Sequence, residues 1–266
     1  MRNLCFTVVC GAILVQAAAV SAQTFQPGVV TIVRIQGEAR YSLGDTNWHP
    51  LVVGQTLAVG AILQTSHDGM VDMVLGKSIE LPQAAPLPDR IGPAPDTSVR
   101  GMVDYKPSIQ QNMVRMTGDT VLLIDQLVIT DTGLDSVYST ELDLKHGRII
   151  ASVKKLSAAS QYFIKIPNGV AGVRGTLFEI DASGWCAVLK DSVLLALTDS
   201  SGATATYLIN QGNQFEPLTG QVSPLPPDVL GDLVEAETAL NTTYVEVVSY
   251  TYDGTSTFIS PTTGRY

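Results

Sequence analysis

Residues 164–180 read I-K-I-P-N-G-V-A-G-V-R-G-T-L-F-E-I, and the interpretation of that run determines the fold class. Apolar and polar residues alternate on both flanks, through Phe163, Ile164, Lys165 and Ile166 before the centre and Leu177, Phe178, Glu179 and Ile180 after it. A period of two marks a half-buried strand. The centre holds Pro167, Asn168, Gly169, Gly172 and Gly175, so the run predicts a strand, a tight crossing and a strand. Glycine permits positive φ or the close approach of another strand. Arg174 is the one charge between Lys165 and Glu179, and a guanidinium in so apolar a setting is expected to be met by carboxylates or carbonyls.

The competing interpretation of these glycines is a phosphate cradle. A dinucleotide fingerprint needs G-x-G-x-x-G after a strand and at the start of a helix. Here the glycines are evenly spaced and lead into T-L-F-E-I, a strand pattern. A structural corner fits that context and nucleotide binding does not.

The chain has 266 residues, 45% hydrophobic and 15% charged, enough for one large or two small domains with a sizeable core. Aromatic residues are few and Val, Ile, Leu, Thr and Gly plentiful, which favours a β-rich fold with many turns. The first 22 residues look like an export signal: Arg2, an apolar run from Leu4 to Val20, then Val20-Ser21-Ala22 before Gln23. Cleavage is expected after Ala22; the alternative is a retained anchor, since the run approaches the length that spans a bilayer. Cleavage would remove Arg2, Cys5 and Cys10, leaving a net charge of 15 − 25 = −10 and Cys186 as the single thiol. An exported chain with one thiol has no internal disulfide and must rely on its core. The negative charge argues against nucleic acid or anionic lipid as partner. Lys145, His146, Arg148, Lys154 and Lys155 form the only basic cluster and are expected to be a solvated face.

Along the mature chain, Val29 to Tyr41 predicts a strand pair or one bent strand with a bulge at Gly37, and Val71 to Leu75 another strand. Residues 77–107 carry Pro82, Pro86, Pro88, Pro93, Pro95 and Pro107, an insert expected to be an exposed covering loop or a binding loop. Strands are expected at Asn112 to Met116, Val121 to Ile129 and Tyr207 to Ile209. Glu141 to Val153 predicts a hairpin turning at Lys145-His146-Gly147, and Cys186 to Leu197 a second turning at Lys190-Asp191-Ser192. Residues 221–266 form a C-terminal extension. In it, Pro226-Pro227-Asp228 followed by Val229, Leu230, Leu233, Val234 and Leu240 predicts a helix over 227–240. Thr243 to Tyr252 suits a late strand, and 253–266 a loose polar tail.

Four segments together resemble the FecR-like domain of bacterial envelope proteins: Trp48-x-Pro50-Leu51-x-x-Gly54, Gly60-Ala61-Ile62-Leu63-Gln64-Thr65, Leu142-x-Leu144-x-x-Gly147-Arg148-Ile149, and Pro167-Asn168-Gly169-Val170-Ala171-Gly172-Val173-Arg174-Gly175-Thr176-x-Phe178. The likeness covers roughly Val29 to Phe215, within a β domain placed at 23–220, and the organisation is similar to exported standalone FecR-domain proteins of the verrucomicrobial type. It implies an all-β, jelly-roll-like or helically wrapped β-sandwich with one short C-terminal helix, lying in the periplasm, cell envelope or outside the cell. Pro167, Gly169, Gly172, Arg174, Gly175 and Thr176 would be its structural motif. Signalling members of the family pass a message from an outer-membrane transporter to a sigma factor through a membrane helix and a cytoplasmic region. Only Met1 to Asn3 precede the apolar run here, so recognition outside the cell is what the resemblance leaves.

No catalytic constellation stands out. His49, His67 and His146 are far apart and have no His or Cys at ligand spacing, so no metal or cofactor is expected. Ser152-x-x-Lys155 lacks the companion elements of a Ser/Lys acylation site. Asp119, Asp125, Asp131 and Asp135 suit turn capping better than a calcium site or a glycosidase acid pair. The expectation is a non-enzymatic envelope module binding an unidentified envelope protein or surface polymer. Two alternatives stand beside it: a structural component whose edges pair by strand addition, and a carbohydrate-binding or carbohydrate-active jelly roll. Trp48 is the candidate ligand platform for the last, although core packing beside Pro50 and Leu51 is its expected role.

Overall fold

The computed structural model describes residues 24–79, 99–105, 111–133, 135–241, 243–252 and 256–262. Strands are numbered in chain order. One sheet has ten: β18 (Thr204–Asn210), β17 (Ser192–Thr198), β14 (Gly169–Val173), β13 (Gln161–Ile166), β11 (Ser136–His146), β10 (Val121–Asp131), β6 (Ile62–Thr65), β3 (Ala39–Ser42) and β4 (His49–Pro50) in spatial order, with β1 (Thr24–Pro27) paired to β10. The other has nine: β20 (Gln221–Pro224), β19 (Asn213–Glu216), β16 (Cys186–Lys190), β15 (Leu177–Asp181), β12 (Arg148–Ser152), β9 (Asn112–Met116), β7 (Met70–Gly76), β2 (Val29–Gln36) and β5 (Thr56–Leu57). The two sheets form a sandwich, as an all-β jelly-roll-like or wrapped β-sandwich requires. Its core joins Ile32, Met73 and Phe178 of the second sheet to Leu63, Ile124 and Ile164 of the first, each fully buried. Cys186, free and buried, is part of it.

Alternation decides which side chains enter that core. Leu122 and Ile124, then Leu127 and Ile129, point inward along β10, and the change of parity is absorbed by a register shift between Ile124 and Gln126. β7 and β9 are buried on both faces. The helix α1 (Pro227–Asn241) lies over β9, β12, β15 and β16, and β21 (Thr243–Tyr252) touches β2. Leu233, Ala236 and Leu240, spaced 3 and 4 apart, are the buried stripe of α1. Leu230 and Val234 remain exposed at 41% and 48%.

Six of the passages from one sheet to the other are made at single residues held at positive φ. Gly37 (66°) joins β2 to β3, Asp119 (54°) β9 to β10, Gly147 (78°) β11 to β12, Gly175 (102°) β14 to β15, Asp191 (57°) β16 to β17 and Gly212 (75°) β18 to β19. A two-residue turn reverses a strand within one sheet, whereas one left-handed residue bends it over an edge. Residues 141–153 and 186–197 are therefore crossings and not hairpins: β12 pairs with β9 and β15, and β17 with β14 and β18. Gly37 is likewise a crossing and not a bulge within one strand or pair.

The stretch 164–180 departs from expectation in the same way. Its glycine-rich middle is itself a strand, β14, because Pro167 and Asn168 alone make the reversal from β13. Gly169 sits where an added Cβ would lie 2.1 Å from the Ala196 carbonyl oxygen, so the close approach of β17 requires glycine. Gly172 has ordinary contacts, with Phe163 Cε1 3.5 Å from such a Cβ. At Gly175 a Cβ would lie 2.6 Å from Lys155 Cα, and the φ is left-handed as well. Arg174, at that crossing and outside both sheets, is exposed, and its Nη2 points at the Ala158 carbonyl 3.5 Å away. The buried Thr176 hydroxyl donates to the Lys190 carbonyl.

Two expectations for the termini and insert are corrected. V-R-G-M-V-D-Y within the 77–107 insert forms β8 (Val99–Tyr105), and S-T-F-I-S-P-T within the supposed loose tail forms β22 (Ser256–Thr262). Both pair antiparallel with β21, making a third sheet of three strands. The export-signal segment, the prolines of the insert and residues 263–266 lie outside the described residues. Among the described residues no helix is long and apolar enough to cross a membrane.

Candidate functional site

Trp48 defines the candidate site. It precedes the two-residue β4 and stands 39% exposed, while Leu51 three positions on is buried. The indole therefore lies outside the core, against the packing role that Pro50 and Leu51 suggested. β3 lies between β4 and β6, with Arg40 opposite Pro50 on one side and Gln64 on the other. Arg40 Nε and Nη2 both donate to Gln64 Oε1, at 3.0 and 2.8 Å. This fixes the guanidinium 4.5 Å from the Trp48 ring centroid, within cation–π range. Tyr41 and His49, directly paired, hold their rings 5.5 Å apart.

A groove of about 680 Å³ opens here, lined by Arg40, Trp48, His49, Glu38, Gln64 and Ser66 among others. Its floor is set by backbone. Ser66 N–H donates to the Glu38 carbonyl at 2.9 Å, and Gly37 fits only as glycine, since a Cβ would lie 2.8 Å from the Asp68 carbonyl oxygen. At its rim the Ser66 hydroxyl, 2.8 Å from Asp68 Oδ1, donates to that carboxylate and holds it below the usual carboxylate range. The groove combines a fixed cation, an aromatic face, an amide and a carboxylate. Such a set orients a polar ligand by directional hydrogen bonds and stacking.

The other candidates scatter. Asp119 pairs with His67, Nδ1 to Oδ2 at 2.6 Å, and raises the imidazole above its ordinary value by accepting its hydrogen bond. Asp125 pairs with Lys165 at 2.7 Å. Asp131 accepts the Ser136 hydroxyl at 2.5 Å, and in the β10–β11 turn it is the Thr132 hydroxyl that caps, donating to the Asp135 carbonyl and accepting the Asp135 N–H. The basic residues split. Lys145, His146 and Arg148 line a cavity of about 570 Å³, and Lys154 and Lys155 another of about 710 Å³ with Asp131, Asp135 and Tyr138. Arg148 is tied to Glu179 at 3.0 Å and stacks 5.5 Å from the Trp185 centroid. Burial raises the Glu179 carboxyl, and Arg148 opposes that shift. Among the described residues no group of three or more His, Cys, Asp or Glu gathers at metal-binding distance.

A charged constellation that sequence reasoning did not single out lies on the far side of the second sheet. Asp72 on β7 is fully buried between Arg34 on β2 and Arg115 on β9. Each is the one charge in its strand, in V-V-T-I-V-R-I, V-D-M-V-L and M-V-R-M. That interruption was the available signal.

Two crystal structures described as "a putative anti-sigma factor" from Parabacteroides distasonis, at 2.50 and 1.65 Å, are similar to this chain at 11% and 12% identity, with TM-scores of 0.33. The similarity covers 49% and 50% of this chain and 62% and 61% of theirs, so the chain spans less than two thirds of their length. No curated protein matches. Residues 109–212 match the family model described as FecR protein. The match takes in Gly147-Arg148 and the Gly169–Thr176 motif but not Trp48 or Gly60–Thr65, so the similarity to FecR proteins rests on this part of the chain.

Proposed function

We propose that the chain is an exported, non-enzymatic FecR-domain module that binds an envelope protein or surface polymer outside the cytoplasmic membrane, as a binding or sensing component. The observation supporting this reading is the Trp48 groove, in which Arg40 is pinned by Gln64 beside an exposed indole. A guanidinium ordered in advance loses little further freedom when a ligand arrives. The carbohydrate reading is favoured by one feature of the same groove, that Glu38 and Trp48 both line it. The test is retention of the purified protein on peptidoglycan, on surface polysaccharide and on immobilised envelope proteins, each assayed separately with Trp48→Ala and Arg40→Ala alongside. Both residues are exposed, so the variants keep the fold and are expected to lose retention. Retention on none of the three, or retention indifferent to both substitutions, would refute the proposal.

A further inference from the structure

Sheet edges are aggregation hazards that proteins blunt with short strands, proline or charge. This protein does so at every described edge but one. β4 and β5 are two residues long, and β1 and β20 are four. Pro27, Pro50, Pro224 and Pro261 sit in β1, β4, β20 and β22, and β8 carries Arg100 and Asp104. β18 ends the ten-stranded sheet with seven residues, T-A-T-Y-L-I-N, that include no proline and no charge.

The face beside that edge is also apolar. Register aligns Phe163, Gly172, Leu194 and Leu208 in one row across β13, β14, β17 and β18, and Lys165, Val170, Ala196 and Thr206 in the next. Phe163, Leu194 and Leu208 are 37%, 51% and 55% exposed. Charge begins only at Lys165, which is tied to Asp125 and Glu141. Beneath the edge, Tyr207 packs on Phe215 with ring centroids 4.3 Å apart, which anchors β18.

We propose that β18 is the seat of a two-fold dimer, in which it pairs antiparallel with β18 of a second copy and merges the two ten-stranded sheets. The partner must present an uncharged extended edge and an apolar row, and β18 of another copy presents both. A chain of net charge −9 repels its own copies over most of its surface, and β14, β17 and β18 contain no charged residue. With Tyr207 on the axis, each Leu208 stands opposite Thr206 of the other copy, so the apolar row of one continues into the small-residue row of the other without a like-charge encounter.

Sedimentation equilibrium of the purified chain from low to high micromolar concentration tests this. The expected result is a monomer–dimer equilibrium that Leu208→Lys and Thr206→Lys each weaken at least about tenfold, while Leu218→Lys, at a 94% exposed site outside β18, leaves it unchanged. Unaltered circular dichroism would show that the exposed-site variants remain folded. A monomer at all concentrations would overturn the proposal, as would a dimer indifferent to both β18 substitutions.

Discussion

Arg115 grips Asp72 at both carboxylate oxygens, Nε to Oδ1 at 2.7 Å and Nη2 to Oδ2 at 3.0 Å, at a position where Asp72 has no exposure to water. Arg34 Nε reaches Oδ2 of the same carboxylate at 2.7 Å. Removing the anion alone would leave two guanidinium groups facing each other in the interior. Asp72→Asn is therefore expected to cost about 3–5 kcal/mol, read as a lower urea midpoint. Replacing all three residues with apolar ones of similar size should come out near neutral.

Tyr162 is 1% exposed, and its hydroxyl has no hydrogen-bond partner among the described residues. Burial pushes the phenol well above its ordinary value. Tyr162→Phe removes an unpaired polar group and keeps the ring, so it should stabilise the protein by about 1–3 kcal/mol in thermal or urea unfolding.

Glycines within and outside the motif should separate by mechanism. Gly175→Ala and Gly147→Ala combine a left-handed φ with an added Cβ 2.6 and 2.5 Å from backbone atoms, and each should destabilise by more than the strain alone, about 1–2 kcal/mol. Gly212→Ala meets nothing within 4 Å and should show only that strain. Gly172→Ala, with ordinary contacts and no positive φ, should be neutral or slightly stabilising. Urea midpoints for the four variants check the order.

His67 should titrate above the ordinary histidine value, since Asp119 accepts its hydrogen bond and attracts the imidazolium. A raised folded value means the pair contributes its stability in full below the unfolded value and loses it as pH rises through the folded one. An NMR titration of the imidazole should show the shift, and Asp119→Asn should return it towards the ordinary value.

Much of this fold was legible because alternation along strands such as β13 follows burial, with Tyr162, Ile164 and Ile166 inside and Phe163 outside; β15 departs from it, since Leu177 and Glu179 are buried as well as Phe178 and Ile180. The helix also matched to within a residue, as Pro227 and Asp228 mark its start. What the sequence hid was partnership. Lys145-His146-Gly147 and Lys190-Asp191-Ser192 look locally like hairpin turns, and only the opposite sheet shows that β11 and β12, or β16 and β17, never pair with each other. Trp48 misled in another way: its neighbour Leu51 enters the core, but the indole is exposed with the Arg40 guanidinium over it, and Arg40 is held by Gln64 across from it on β6. The Arg34–Asp72–Arg115 cluster required three strands distant in sequence to be adjacent in space.

A chain that changes sheet so often cannot be divided by length. Residues 109–212 span the FecR match, yet within the sandwich β9 borders β7, and β10 borders β6 and β1. A fragment cut at those limits would bare two central ladders to solvent and strip Asp72 from Arg115. Autonomy therefore belongs to the interlaced whole, and a trimmed version should aggregate where the longer chain remains soluble.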